Sequence, residues 1–343
     1  MLKNINYQNI LIFGHSNIGD VCYDLGIISV LKNNFPQSRI SFISSPKSQE
    51  VASLVQEIDE VIVFDKYNKN KGILGHLKFV NLINKKKFDL AIILRGQMHY
   101  FFNIPKIIQL TRNKKNNLNR PALEQYIDLL KQIGIKDANI KFNFNFSQKD
   151  IDFVKKEVLI NQDRREKIKI GIMPFAAWKL KCWPVEKWNE LVKQLQEKYK
   201  AEVFVFGKTR ENDQWEDDFN KNLSKNIISF VNKCTLRKTL AIISQLDLFI
   251  GCDTSLLHFA SCLRVNTIGL FGPTNSKKYY PFFHKDLVVI SKSKLNCMPC
   301  FQKKEVGPCG VKGKPAACMQ EITVKEVMDR VIQVRANKVK GRL

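Results

Sequence analysis

Short apolar runs rich in β-branched residues recur along this chain, separated by longer stretches in which apolar residues return at helical spacing. The runs fall at residues 9–13, 39–43, 61–64 and 89–94, with helical stretches between them at 21–34, 49–56 and 74–86. A parallel sheet covered by helices imposes this alternation, because its strands are buried on both faces while each crossover helix keeps one polar face. The fold class is therefore α/β.

With 343 residues the chain is long enough for two domains, each with its own core. The polar stretch 161–167 precedes a second series of strands at 168–173, 202–207, 246–251 and 266–272, which sets the expected domains at 1–164 and 165–343. The last three strands end in Gly207, Gly251 and Gly272. Ligands of open α/β sheets bind beyond the carboxyl ends of the strands, and glycine there lets backbone approach them closely. Two such halves facing each other would leave a cleft between them.

Lysine and arginine number 56 against 32 aspartates and glutamates, a net charge of +24 that favours an anionic partner. Much of the excess lies in lysine- and asparagine-rich runs such as 66–71, 85–87 and 112–117, which read as solvated surface. No zinc-finger spacing and no RNA-binding signature with interleaved aromatics accompanies it, so nucleic acid is not the expected partner. The first residues, Met1 to Tyr7, hold no apolar stretch of signal-peptide length, and no run approaches the ~20 apolar residues that span a bilayer. The expectation is a soluble cytoplasmic protein.

Three segments carry groups suited to chemistry. Gly14-His15-Ser16-Asn17-Ile18-Gly19-Asp20 joins the first strand to the first helix, but its glycines do not fit G-x-G-x-x-G, which argues against nicotinamide binding. Asn17 reads as an N-cap with Asp20 in the first turn, either a capping arrangement stabilised by the helix dipole or a general base held ionised there. Gly251 to Ala260 lies at a second strand-to-helix junction. With Asp253 as N-cap, the amides of Thr254, Ser255 and Leu256 would point at a bound phosphate, with His258 one turn in. Met173 to Trp188 runs from a strand into a helix starting near Pro184, and its Lys179 and Lys181 could neutralise a pyrophosphate leaving group or simply be solvated.

Together these segments resemble the ADP-heptose:lipopolysaccharide heptosyltransferases, glycosyltransferase family 9, over nearly the whole chain. The shared elements are S-x-x-G-D at Ser16 to Asp20, K-x-W-P at Lys181 to Pro184, D-[ST]-x-x-x-H-x-A at Asp253 to Ala260, and F-G-P-T at Phe271 to Thr274. The resemblance implies the GT-B architecture, two Rossmann-like domains facing a central cleft, with a last helix that can pack back on the N-terminal domain. It implies an inverting transfer in which Asp20 deprotonates the acceptor hydroxyl and Lys181 holds the donor phosphates. Asp253, Thr254, Ser255, Leu256 and His258 would hold the rest of the ADP-sugar, and Glu211 falls where the resemblance puts a nucleoside-binding acid. It further implies an ADP-heptose donor, an anionic lipid-linked core oligosaccharide acceptor, work at the cytoplasmic membrane surface as a peripheral protein, and no bound metal or other cofactor.

This chain departs from the family pattern in Asp24-Leu25-Gly26, where T-L-P is usual, in Ala176-Ala177, and in Ser255 where glycine is frequent. Arg95, Gln97 and His99 follow the strand that ends at Leu94 and are candidates to contact an anionic acceptor. Nine cysteines without a secretory start argue against a disulfide framework. Cys297, Cys300, Cys309 and Cys318 read either as a structural four-cysteine zinc site or as packed free thiols. Two other functions compete with heptosyl transfer: a related transferase using another nucleotide sugar, and a noncatalytic nucleotide- or polyanion-binding protein on the same scaffold.

Overall fold

The computed structural model describes residues 6–95, 98–110, 119–136, 138–158, 167–209, 219, 227–292, 295–300, 309 and 316–339. The chain divides into two compact units, Met1–Asn145 and Phe146–Leu343.

The first unit contains strands β1 (Asn9–Phe13), β2 (Arg39–Ser44), β3 (Glu60–Val63), β4 (Leu90–Ile93) and β5 (Lys106–Gln109). They form one parallel sheet in the order β3-β2-β1-β4-β5. Its helices are α1 (Ile18–Asp24), α2 (Gly26–Asn34), α3 (Gln49–Ala52), α4 (Gly72–Lys85) and α5 (Ala122–Leu130). Central β1 buries Ile10, Leu11 and Ile12 completely, as a strand covered on both faces must. The single helix expected over 21–34 is instead two, α1 and α2, joined at Leu25. Gly26 opens α2 at a point of close packing, where a β-carbon would lie 2.6 Å from Leu123 Cδ1. Edge strand β5 has only two apolar residues between Lys106 and Gln109, too few to register as a strand in the sequence.

The second unit opens with α6 (Gln148–Val158) and continues through β6 (Lys169–Met173), α7 (Val185–Tyr199), β7 (Glu202–Val205), β8 (Ile227–Ser229), α8 (Leu236–Ile243) and β9 (Leu248–Cys252). It ends with α9 (Ser255–Cys262), β10 (Asn266–Phe271), α10 (Ser276–Tyr279), β11 (Val288–Ile290), α11 (Ala317–Glu321) and α12 (Val324–Val339). Its parallel sheet runs β11-β10-β9-β6-β7-β8.

The division falls after Asn145 and not within 161–167, because α6 docks on α8 of the second unit. Buried Asp150 accepts hydrogen bonds from Ser147 and, at 2.6 Å, from Arg237 Nε. Residues 161–166 of the expected linker lie outside the described residues. The last helix, α12, packs on α7 and β10 of its own unit, with the Arg335 guanidinium 4.3 Å from the Tyr199 ring centroid.

Aspartates tie the amino ends of neighbouring strands together. Asp89 accepts from the amides of Gln8 and Asn9, Asp59 from that of Ile40, and Asp247 from that of Lys169. The opposite, carboxyl edge of each sheet carries the turns that the sequence singled out.

Candidate functional site

In the second unit, the junction between β9 and α9 gathers a cation, a carboxylate and an imidazole. Lys181 ends a short 3-10 turn, Lys179–Lys181, and its Nζ lies 2.9 Å from Asp253 Oδ2 and 3.2 Å from the Asp253 carbonyl oxygen. The other carboxylate oxygen of Asp253 lies 3.0 Å from His258 Nε2. Asp253 and His258 are both buried. Burial opposes ionisation of Asp253, but the His258 hydrogen bond and the Lys181 charge overcome it and hold its carboxyl at about 2. Asp253 is therefore an anion that pairs with Lys181 and hydrogen-bonds with His258.

Asp253 is not the N-cap expected from the sequence. Thr254 takes that position with extended backbone, and no side chain caps the helix. The first-turn amides are then those of Ser255, Leu256 and Leu257, which have no carbonyl of a preceding turn to bond. The Thr254 hydroxyl is buried and has no hydrogen-bond partner among the described residues, and the same holds for Thr274 after Phe271-Gly272-Pro273. An unsatisfied buried hydroxyl at a helix start with uncapped first-turn amides, as at Thr254, is chemistry suited to an anion. Thr274 belongs to a motif that the sequence displays, but its chemistry emerges only from its burial.

The segment that carries Lys181 is anchored behind it. Trp183 and Trp188 are fully buried and meet edge to face at 5.1 Å. Trp183 Nε1 donates to the Ile322 carbonyl oxygen at 3.0 Å, and Lys187 Nζ donates to the same oxygen at 2.7 Å. Pro184 is the N-cap of α7, one position earlier than the first helical turn expected for it.

In the first unit, the turn after β1 leads into α1, with Asn17 as N-cap. The Asn17 side chain caps no amide; its Nδ2 donates to Asp20 Oδ2 at 3.2 Å. Half-buried Asp20 therefore keeps a carboxylate within reach of solvent. One turn on, Asp24 faces inward and is completely buried. It accepts from the His15 amide at 2.6 Å and from the Tyr126 hydroxyl at 3.0 Å, and pairs with His15 Nδ1 at 2.9 Å. Gly14 makes this possible, since a β-carbon there would lie 2.4 Å from Phe42 Cζ and 2.9 Å from Asp24 Oδ2. Asp24, which departs from the family pattern, thus creates a His15–Asp24 pair that sequence reasoning did not assign.

Burial depresses the basicity of His15, but the charge and hydrogen bond of Asp24, with a contribution from Asp20, raise it above its ordinary value despite Arg95. Because the folded value is the higher one, the stabilisation from this pair is complete below pH ~6.5 and disappears as pH rises through the folded value. An NMR titration is expected to place the His15 midpoint above that of a free histidine and to lower it in Asp24→Asn. A wild-type midpoint at or below ~6.5 would refute the pairing.

Arg95 is exposed at the same edge, whereas His99 is buried, shares a hydrogen bond with Gln109, and loses basicity to burial. His99 therefore packs inside the domain. Gln97 and Glu211 lie outside the described residues. Among the described residues, no group of three or more His, Cys, Asp or Glu side chains is arranged to hold a metal ion. Cys297, Cys300, Cys309 and Cys318 form no disulfide among the described residues. Burial, then the nearness of Cys300 and the other two, pushes the Cys318 thiol up to about 12.

Two units, each a parallel sheet covered by helices, give the GT-B fold of the solved heptosyltransferase structures. The chain belongs to glycosyltransferase family 9 (heptosyltransferase), whose model matches residues 90–309. It is 22% identical to lipopolysaccharide core heptosyltransferase OpsX of Haemophilus influenzae, covering 94% of this chain and 96% of that protein. Its fold matches the glycosyl transferase family 9 crystal structure from Veillonella parvula with a TM-score of 0.81 at 20% identity, covering 96% and 98% of the two chains. It also matches Escherichia coli heptosyltransferase WaaC with ADP, at a TM-score of 0.72 and 14% identity, covering 95% of this chain and all (100%) of that one.

Proposed function

We propose that this chain transfers heptose, with inversion, from ADP-heptose to the phosphorylated inner core of lipopolysaccharide or lipooligosaccharide. The observation that carries the reading is the Lys181–Asp253–His258 cluster at the start of α9, beside the unpaired Thr254 hydroxyl. The donor diphosphate takes the amides of Ser255, Leu256 and Leu257 and the Thr254 hydroxyl, while Lys181 offsets the charge that grows on the leaving ADP. Ionised Asp253 does not touch the phosphates, since like charges would repel; it holds Lys181 and His258 in place. The family resemblance assigns Glu211 to the nucleoside.

Asp20 removes the proton from the acceptor hydroxyl as that oxygen attacks the anomeric carbon and the bond to ADP breaks. One displacement of this kind inverts the anomeric centre and leaves no covalent intermediate. Exposed Arg95 offers a guanidinium to acceptor phosphate. The protein works as a peripheral enzyme at the cytoplasmic face of the inner membrane, where the lipid-linked acceptor stands. The relatives' names, which specify heptosyl transfer to lipopolysaccharide, support the donor and acceptor classes.

Incubation of the purified protein with ADP-heptose and a series of truncated core acceptors is expected to release ADP and add one heptose to an acceptor, with the anomeric configuration inverted. Consumption of another nucleotide sugar instead would overturn the donor assignment while retaining the displacement chemistry. No transfer from any nucleotide sugar would return the chain to the noncatalytic alternative.

A further inference from the structure

We propose that α4, together with the loop that enters it, docks the protein on an anionic phospholipid bilayer. The helix is apolar on two faces. Gly75, Phe79, Val80 and Ile83 are buried, the last three in the core with strand residues Leu11, Ile43 and Ile93. On the outer face Ile73, Leu74 and Leu77 are 80%, 75% and 55% exposed, and nearby Tyr100 and Phe101 are 72% and 69% exposed. Solvated helices do not spend large aliphatic side chains this way, and contiguous exposed apolar surface marks a partner.

Charge identifies the partner. From Lys66 to Phe88 the sequence holds seven lysines and no carboxylate. Lys86 is committed to Glu60 at 2.6 Å, while Lys66, Lys69, Lys71, Lys78, Lys85 and Lys87 are exposed. Leucine and isoleucine at the crest with lysines around them match the interfacial region of a bilayer, with acyl chains below and anionic headgroups at the rim. An acidic protein surface would satisfy the lysines but not the apolar crest.

The surface is prebuilt. Asp65 accepts from the amides of Tyr67 and Asn68, the Asp65 amide donates to Asn70 Oδ1 at 2.9 Å, and the Asn70 amide donates to the Asp65 carbonyl oxygen at 2.8 Å. Asn70 backbone then packs on Gly75, where a β-carbon would lie only 2.5 Å from it. Ile73 and Leu77 also line, with Phe13, Phe64 and Phe101, an apolar pocket of about 820 Å³ that reaches Ser16 and Arg95 at the edge that bears Asp20. Docking through α4 therefore presents this edge to a bilayer-anchored acceptor, an inference that rests on the lipid-linked acceptor proposed above.

The test is flotation of the full chain with vesicles of phosphatidylethanolamine containing about one third phosphatidylglycerol, a composition with negative surface potential. Wild type is expected to float with these vesicles and not with pure phosphatidylcholine. The combined Ile73→Ser, Leu74→Ser, Leu77→Ser variant should bind at least about tenfold more weakly, and Lys66→Gln, Lys69→Gln, Lys71→Gln about a hundredfold. Both sets are exposed, so thermal unfolding should match wild type, and a Leu74→Trp reporter should shift its emission to the blue on the anionic vesicles. Failure of wild type to float, equal binding to both lipids, or wild-type binding by the serine variant each overturns the proposal. So does a serine variant that changes the oligomeric state while keeping vesicle affinity, which would assign the face to a second copy. Flotation requires no turnover, so an absence of heptose transfer leaves its result intact.

Discussion

Replacing Asp20 with alanine is expected to lower turnover by ~10²–10⁴-fold, the span of a general base, while leaving ADP affinity unchanged. The fold should tolerate the change, because Asp20 is half-buried and its side chain accepts a hydrogen bond from its near neighbour Asn17, at 3.2 Å. ADP affinity should hold because Asp20 belongs to the first unit and the anion site to the second. Single-turnover kinetics with saturating ADP-heptose, alongside calorimetric titration with ADP, separates the two quantities. Turnover within about tenfold of wild type would remove Asp20 as the base and transfer the role to His15. That imidazole already has the arrangement of a base held by a carboxylate, with Asp24 at 2.9 Å. His15→Gln would then become the variant that abolishes transfer, and the pH profile would follow the raised His15 value.

Asp253→Asn is expected to produce the largest loss of stability together with a loss of donor binding. The neutral amide removes the Asp253 charge from Lys181, which is largely buried, and breaking a pair of this kind costs about 3–5 kcal/mol. Lys181 and His258 also lose the carboxylate that orients them, so ADP affinity should fall by about tenfold or more. The pH dependence has a definite sign. The folded carboxyl sits at about 2 against an ordinary value of 3.8, so its contribution is complete above the ordinary value and is lost as pH falls through the folded one. Urea unfolding of wild type and variant should show a gap that is constant near neutrality and narrows by about 2 kcal/mol between pH ~4 and ~2. A gap below about 1 kcal/mol at neutral pH would mean that Lys181 finds another partner or stays hydrated.

Comparison of the two sites shows where the sequence is informative. The strands at 9–13 and 39–43 and the helix that became α4 were readable because burial on both faces, or on one, leaves a periodic apolar record. Short edge strands β5, β8 and β11 left none, having three or four residues each. The turn after β1 and the junction before α9 were legible because glycine, capping residues and acidic groups cluster there. Asp24 was visible as a departure from the family pattern, yet its purpose depends on Tyr126, 102 residues away.

The sequence alone thus determined the α/β class, two series of parallel strands, the family resemblance and the two turns where chemistry is concentrated, all of which are recorded in local spacing. Tertiary structure decided which side of each residue faces what. It put Thr254 at the N-cap and turned Asp253 from a capping residue into the anchor of Lys181, 72 residues distant. It buried His99, moved the division between the units to Asn145, and left the outer face of α4 apolar and exposed. These outcomes depend on desolvation and on pairing between residues far apart in the chain, which periodicity and spacing do not encode.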